Sequence, residues 1–304
     1  MKKDILTLRD LSARDFEALL DLSLKLKKRQ RSGIGDRTLQ GKTLGLMFDK
    51  PSTRTRVSFE AAMVQLGGTP LFLNVKDTQL IRSEPIADTA RVLSRYLDAL
   101  AVRTYSQDLL EGLAAAASIP VINALTDLYH PCQVLSDLMT ILEKKGDLEN
   151  VKIAWVGDGN NVTHSWLNAS AVLGLRLSLA CPEGYHPKEE ILNRALNDGG
   201  GRIQLTSDPH EAVRDADVIY TDVWASMGQE SESLHRKKVF QPYQVDQDLV
   251  SRAKEDVIVM HCLPAHRGEE IATDVIEGPR SIVWDQAENK LHMHKAILKK
   301  LLTP

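Results

Sequence analysis

The strand-to-helix step that decides the fold reads Lys50-Pro51-Ser52-Thr53-Arg54-Thr55-Arg56. An apolar, strand-like segment (43–48) precedes it, and a helix-like segment (57–66) follows it and stops at Gly67-Gly68. A helix N-terminus offers unpaired backbone N–H groups and the positive end of the helix dipole, which together hold an anion. Three hydroxyls and two guanidiniums crowd this point. The stretch predicts a phosphate site, and the plainer alternative is a capped helix with solvated charges.

Strand-like and helix-like segments alternate along the whole chain, which predicts an α/β fold with parallel sheets covered by helices. The strand-like segments are 43–48, 71–75, 99–102, 121–124, 151–156, 176–180, 203–205, 218–221, 257–260 and 282–284. The helix-like segments are 57–66, 85–97 (with Ser83 as its N-cap), 108–117, 131–145, 162–173, 188–197, 211–215 and 287–302. The pattern restarts near residue 150, so we expect two domains, residues 1–134 and 150–284, each with a mostly parallel sheet. We expect the terminal helix, 287–304, to pack back on the first domain.

Composition gives few signs of an unusual partner or compartment. The chain of 304 residues is 43% hydrophobic and 26% charged with a net charge of −3, which does not favour a nucleic-acid partner. No long apolar stretch predicts a signal peptide or a membrane span. The three widely spaced cysteines, Cys132, Cys181 and Cys262, argue against a disulfide framework and favour a reducing cytoplasm. We interpret the basic run 25–31 as the solvated face of an N-terminal helix.

The unusual polar residues follow the predicted strands. In open parallel sheets, ligands bind beyond the carboxyl ends of the strands. In the first half this edge would hold residues 52–56, Arg103 and His130, and in the second half residues 158–161, Asp222 and His261-Cys262. If the two edges face each other, the active site is an interdomain cleft.

Several of these clusters allow two interpretations. His130-Pro131-Cys132-Gln133 could hydrogen-bond a carbonyl and an amide, or could be a capped turn, and its spacing does not favour a metal. Cys262 could be a nucleophile beside His261 and His266, or a buried small residue. The segment 224–243 is polar and weakly periodic, which suggests a mobile functional loop. His292 and His294 point apart on a helix, and we interpret both as surface residues.

Gly157-Asp158-Gly159-Asn160-Asn161-Val162 superficially resembles a dinucleotide fingerprint. Val162 occupies its third glycine position and the next acidic residue, Glu183, comes late, so a nucleotide cofactor is disfavoured. Binding of a substrate by Asn161 is the better interpretation of this segment.

Together the motifs resemble the transcarbamylase family over essentially the whole chain. The segments that carry the resemblance are Ser52-Thr53-Arg54-Thr55-Arg56, His130-Pro131-Cys132-Gln133, Asp222-Val223-Trp224-Ala225-Ser226-Met227-Gly228 and His261-Cys262-Leu263-Pro264. The last two are similar to segments that mark the ornithine branch. The resemblance implies two α/β domains bridged by helices and a homotrimer, with higher assemblies of trimers left open. It implies transfer of the carbamoyl group of carbamoyl phosphate to the δ-amine of L-ornithine, giving L-citrulline and phosphate without a metal or cofactor.

The resemblance also assigns residues to each substrate. Those implied for carbamoyl phosphate are Ser52, Thr53, Arg54, Thr55, Gln79 (from a neighbouring subunit), Arg103, His130, Gln133, Cys262, Leu263 and Lys290. Those implied for ornithine are Asn161, Asp222, Ser226 and Met227. Arg103 and His130 would act in catalysis by polarising the carbonyl, and Cys262 by positioning or deprotonating the amine. The Leu263-Pro264 peptide bond resembles one that the family keeps cis.

One position departs from the family pattern. The family usually shows Ala-Glu-Asn-Arg before its final helix, and here the stretch is Ala287-Glu288-Asn289-Lys290. Lysine keeps the charge but loses the planar fork, so we expect altered binding of carbamoyl phosphate. The alternatives are a sister enzyme that uses putrescine or N-acetylornithine, a nucleotide-dependent oxidoreductase and a non-catalytic binding protein.

Overall fold

A computed structural model of the chain describes residues 1–78, 83–198, 202–225 and 232–303. The described part forms two compact units: residues 1–139 together with 288–304, and residues 140–287. Both boundaries between the units fall inside helices. None of the helices in the described ranges combines the length and apolar composition needed to cross a bilayer.

Helices and strands alternate through both units. In chain order they are α1 (Ala13–Arg31), β1 (Thr43–Phe48), α2 (Thr53–Gln65), β2 (Thr69–Asn74), α3 (Ile86–Leu93), β3 (Ala99–Arg103), α4 (Gln107–Ala116), β4 (Val121–Leu125), α5 (Pro131–Lys145), β5 (Lys152–Val156), α6 (Asn161–Leu173), β6 (Arg176–Ala180), α7 (Glu189–Asp198), β7 (Ile203–Thr206), α8 (Pro209–Val213), β8 (Val218–Thr221), α9 (Ser233–Phe240), α10 (Gln247–Ser251), β9 (Ile258–His261), α11 (Thr273–Ile276) and α12 (Val283–Leu302).

The first unit contains a parallel sheet in the order β2-β1-β3-β4. The central strands β1 and β3 are almost wholly buried because helices cover both faces, which explains their continuous apolar sequences. At one end of the order, β2 is an edge strand and is largely exposed. Ser52 caps α2 by accepting a hydrogen bond from Thr55 N, so the predicted helix begins inside the Ser-Thr-Arg stretch.

The second unit contains a parallel sheet in the order β7-β6-β5-β8-β9. Asn160 caps α6, and Gly174, in the left-handed conformation with φ of 65°, ends it. Buried aliphatic residues of β5, β8 and β9 form a core with α8, α10 and α11. The predicted fold class, two mostly parallel sheets flanked by helices, is confirmed.

Some predicted elements were wrong. The segment 282–284 is not a strand: a single bridge joins Ser281 to Val259, and α12 already begins at Val283. Three apolar residues are too few to reveal a period, so the run could not distinguish a strand from the start of a helix.

The polar segment 224–243 is also more ordered than predicted, since α9 and a 3₁₀ turn at Gln241–Tyr243 occupy its second half. Ser83 does not cap α3, because Pro85 holds the N-cap position. Ser83 instead has a φ of 66°.

Candidate active site

The polar residues of the first unit gather where β1, β3 and β4 end. Phe48, the last residue of β1, pairs with Arg103, the last residue of β3, and Thr104 N donates to Leu125 O at 3.0 Å. Arg103 and His130 are both buried. Parallel pairing thus brings the α2 N-terminus, Arg103 and the His130 turn to one edge of the sheet, as predicted.

Lys290 reaches this edge from α12. Its buried ammonium donates to Gln133 Oε1 at 2.9 Å and to Thr55 Oγ1 at 3.3 Å. Gln133 is in the first turn of α5, and its amide donates to Asp137 Oδ1 at 2.9 Å. A lysine therefore links the first turns of α2 and α5 at the point where the family resemblance expects an arginine.

The two buried histidines near Lys290 are held neutral. Burial lowers the pKa of His130 well below its usual range, and the positive charges of Lys290 and Arg103 lower it further, with a smaller contribution from His294. Burial, and then Lys290, likewise lowers the pKa of His294. The positive charge of this edge therefore resides on lysine and arginine, and the imidazoles serve as neutral hydrogen-bonding groups.

Lys50 is a residue of this edge to which we assigned no role from the sequence. It is buried, forms an ion pair with Asp127 and lies 3.9 Å from the centroid of the Tyr105 ring. The pair joins the segment after β1 to the turn that precedes His130. Its partner lies 77 residues away, and no local pattern could have identified it.

The second unit gathers polar groups of the opposite sign where β5, β8 and β9 end. Asp222 accepts from Asn160 Nδ2 at 2.7 Å, from Cys262 Sγ at 2.9 Å and from Val223 N at 2.8 Å. Asn160 also caps α6, so its amide both starts the helix and orients the carboxylate. The predicted ligand Asn161 follows directly, as the first residue of α6.

Asp158 and Arg236 form a buried ion pair beside this cluster. Arg236 Nη1 donates to Asp158 Oδ2 at 3.1 Å and to Trp224 O at 2.8 Å. Burial raises the pKa of Asp158 to about 6, although Arg236 opposes the shift, and the nearby charge of Asp222 raises it further. Arg236 lies in the segment that we had interpreted as a mobile loop, and its role depends on the helix that the structure places there.

His261 supports the turn that carries Cys262. Its Nε2 lies 3.0 Å from Glu270 Oε1, and its Nδ1 accepts from Leu263 N at 2.8 Å. This pattern assigns the proton to Nε2. The peptide bond between Leu263 and Pro264 is cis, as the resemblance implied, and Leu263 has a φ of 57°, a strained value for a branched residue.

Two clusters of side chains in the described residues bring potential metal-ligand atoms within 4.8 Å of one another: Asp222 with His261 and Cys262, and His266 with Glu269 and Glu270. A metal in the first cluster would displace existing bonds, because Nδ1 of His261 already accepts from Leu263 N. In the second cluster Glu269 already forms an ion pair with Lys237, with 2.7 Å between Lys237 Nζ and Glu269 Oε1.

The interpretation of His292 and His294 as surface residues was wrong, since both are buried. Every residue from 289 to 298 except Leu291 is buried, so this part of α12 is covered around most of its circumference. Lys27 also differs from the prediction that the basic run 25–31 is a solvated face. It is buried and donates to Asn289 Oδ1 at 2.7 Å. The predicted ligands Gln79, Ser226 and Met227 lie outside the described residues.

Comparisons with known proteins match both units. A family described as aspartate/ornithine carbamoyltransferase, carbamoyl-P binding domain, matches residues 3–143, and its Asp/Orn binding domain matches residues 149–301. An ornithine carbamoyltransferase from Syntrophus aciditrophicus is 57% identical over 99% of this chain and 100% of its own length. An anabolic ornithine carbamoyltransferase from Pyrococcus furiosus is 55% identical over 97% of this chain and 95% of its own length. The solved ornithine carbamoyltransferase from Pyrococcus furiosus superposes with a TM-score of 0.94 at 55% identity, covering 98% of this chain and 96% of that one.

Proposed function

We propose that this chain, which belongs to the aspartate/ornithine carbamoyltransferase family, transfers the carbamoyl group of carbamoyl phosphate to the δ-amine of L-ornithine. The products are L-citrulline and phosphate, which places the reaction in arginine metabolism. The observation that carries the proposal is the buried, cationic edge of the first unit, where Lys290 joins a helix N-terminus to Gln133. Such an edge suits a substrate that carries a phosphate and a carbamoyl group next to each other.

We assign residues 1–134 and the terminal helix to carbamoyl phosphate. The phosphate would bind Ser52, Thr53, Arg54 and Thr55 at the start of α2, together with Arg103 and Lys290. Because Lys290 donates to Thr55 Oγ1, the hydroxyl hydrogen of Thr55 remains available to donate to a substrate oxygen. Gln133, with the main chain at Cys262 and Leu263, would hold the carbamoyl amide, and Gln79 of a neighbouring subunit would complete the site.

The reaction follows from where charge develops. When the neutral δ-amine attacks the carbonyl carbon, negative charge grows on the carbonyl oxygen and then on the departing phosphate. Arg103, Thr55 and His130 would stabilise the carbonyl oxygen, and Arg54 the phosphate. Preorganised donors in a buried site stabilise such charge strongly, with about 3 kcal/mol for a single donor.

We assign residues 150–284 to ornithine. The carboxylate of Asp222 would bind the α-ammonium, and Asn161 would donate to the α-carboxylate, with Ser226 and Met227 completing the contacts. Asn160 supports this assignment because its amide orients Asp222 at 2.7 Å.

Cys262 would help to orient or deprotonate the amine and would not become carbamoylated, because phosphate leaves readily once its charge is neutralised. Its Sγ donates to Asp222 at 2.9 Å, so the thiol could take a proton from the amine only by passing its own hydrogen to Asp222. Mass spectrometry of the protein incubated with carbamoyl phosphate alone, for wild type and Cys262→Ser, tests this role. A carbamoyl group attached at residue 262 of either protein would contradict it.

The exposed apolar surface of the first unit supports a homotrimer. Val57 and Val64 lie on one face of α2, and Leu71 and Phe72 lie on the neighbouring edge strand β2. All four side chains are more than a third exposed, and Arg56 covers one side of the Phe72 ring. A patch of this kind on a sheet edge suits a second copy of the chain. Light scattering of the purified protein tests the predicted trimer.

The cytoplasmic location stays a prediction from the cysteines.

The decisive experiment measures ureido product from carbamoyl phosphate with ornithine, putrescine, N-acetylornithine and aspartate in parallel. Product with ornithine at a kcat/KM far above those of the other three amines is the expected result. Preference for putrescine or N-acetylornithine would assign the chain to a sister activity. No product with ornithine would overturn the proposal.

A further inference from the structure

Two residues of α12, Lys290 and His294, make polar contacts with α2 one helical turn apart. They are four residues apart and therefore lie on the same face of the helix. Lys290 Nζ donates to Thr55 Oγ1 at 3.3 Å, and Nδ1 of His294 lies 2.9 Å from Ser58 Oγ. Thr55 and Ser58 are three residues apart and share a face of α2 in the same way. The first turns of α2 are thus attached to α12 at two points.

The hydrogen-bond directions link the two attachment points. The Ser58 hydroxyl lies 3.1 Å from Thr55 O and 2.9 Å from Nδ1 of His294. When the hydroxyl hydrogen points to Thr55 O, the hydroxyl accepts from Nδ1–H of His294. In this arrangement His294 carries its hydrogen on Nδ1, and its buried Nε2 has no hydrogen-bond partner among the described residues. A continuous path then runs from His294 through Ser58 to the carbonyl of Thr55, whose hydroxyl accepts from Lys290.

Packing holds the imidazole in this orientation. The ring of His294 is fully buried and stacks on Phe59 with the centroids 3.6 Å apart and the planes 10° from parallel. Burial and the charge of Lys290 keep the ring neutral by lowering its pKa. A neutral ring keeps Nδ1–H as a directed donor and adds no further positive charge to the site.

We propose that His294 is a positioning residue of the carbamoyl-phosphate site: through Ser58 it sets the first turns of α2 against Lys290. This inference rests on the proposed function for the identity of the ligand, but its contacts lie entirely within the first unit. His294 touches no reacting atom in this scheme. It acts on Thr55, which both donates to the substrate and accepts from Lys290.

Loss of the Nδ1 donor would leave the Ser58 acceptor without its partner and would free Thr55 to shift relative to Lys290. The consequence is specific to one substrate, because the ornithine ligands belong to the second unit. We therefore expect weaker binding of carbamoyl phosphate and phosphate, with little change for ornithine.

Two variants separate the hydrogen bond from the stacking. His294→Phe keeps a ring against Phe59 but removes the donor, whereas His294→Asn keeps an amide donor near the Nδ1 position without the ring. We expect His294→Phe to raise the KM for carbamoyl phosphate about fivefold, the effect of one buried hydrogen bond, and to change the KM for ornithine less than about twofold. His294→Asn should recover most of this loss.

A double-mutant cycle identifies the partner. Ser58→Ala should raise the same KM to a similar extent, and combining it with His294→Phe should add little, because the two changes break one interaction. His292→Phe is the matched control, since His292 is a buried histidine of the same helix that contacts Glu288 instead. It should leave both KM values unchanged.

Titration calorimetry with inorganic phosphate separates failure of this inference from failure of the proposed function. If the wild type makes no citrulline, the proposed function fails, while weaker phosphate binding by His294→Phe still supports the positioning role. If the wild type is active but His294→Phe binds phosphate and carbamoyl phosphate as tightly as the wild type, the inference is wrong. A rise of both KM values together, with a lowered melting temperature, would indicate a general structural role and would also overturn it.

Discussion

The two units carry side chains of opposite charge at the same edge of the same kind of sheet. In the first unit Arg103 and Lys290 lie at the carboxyl ends of the strands, and in the second Asp158 and Asp222 do. Parallel pairing explains why each ligand edge lies where it does, since all strands of a sheet end together. The side chains that follow the strands decide whether that edge binds an anion or a cation.

The pKa values of buried groups at the two edges shift in opposite directions from their ordinary values. The cations of the first unit add to burial in lowering the pKa of His130. In the second unit Asp222 adds to burial in raising the pKa of Asp158 to about 6. Each edge thus disfavours further charge of the sign that it already carries, which leaves it suited to a ligand of the other sign.

The largest effect should come from removing a cation of the first edge. Arg103→Gln should lower kcat/KM about a thousandfold, because a preorganised donor to the developing charge is lost. Steady-state kinetics with both substrates checks this, with Arg91→Gln as control, since Arg91 is exposed on α3. A loss of less than about tenfold in kcat/KM would contradict a catalytic role for Arg103.

Removing the anion of the second edge should affect the other substrate. Asp222→Asn keeps the shape of the side chain but removes the charge, and it should raise the KM for ornithine about a hundredfold while the KM for carbamoyl phosphate changes little. Asp248→Asn, at an exposed position of α10, is the control. If the two KM values rose equally, the assignment of one substrate to each edge would not hold.

The raised pKa of Asp158 predicts a pH-dependent stability. The folded chain retains this proton up to about pH 6, whereas the unfolded chain loses it near the ordinary value of 3.8. The associated stability is present at low pH and is lost as the pH rises through 6. Between pH 4 and pH 7 the wild type should therefore lose about 2 kcal/mol more free energy of unfolding than Asp158→Asn.

Urea unfolding of both proteins at several pH values measures this difference, and only the change with pH is compared, because Asp158→Asn also breaks the ion pair with Arg236. Parallel curves for the two proteins would show that Asp158 does not titrate in this range.

The smallest effect concerns the residue that departs from the family pattern. Lys290→Arg should lower the KM for carbamoyl phosphate about threefold, because a guanidinium fork can make two parallel bonds where an ammonium acts as a point charge. Lys300→Arg, at an exposed position of the same helix, is the control. Unchanged affinity and turnover would mean that the ammonium serves as well as the fork.

The parts of this molecule that could be predicted from its sequence are those that depend on neighbours along the chain. The strands 43–48, 176–180 and 218–221 begin and end as predicted, because apolar runs are local. The second half of 224–243 was misread because a short, polar helix has no clear period. The ion pairs of Lys50 and Arg236 were missed because their partners lie 77 and 78 residues away.

By itself the sequence determined the strands of both sheets, most of the helices between them, and the edge of each sheet that carries the polar residues. These follow from periodicity, caps and residue type, which are properties of short segments. Only the tertiary structure decided that Lys290 joins Thr55 to Gln133 and that His294 is buried against Phe59. Those contacts join residues from 157 to 235 positions apart, and packing in three dimensions is the only interaction that brings them together.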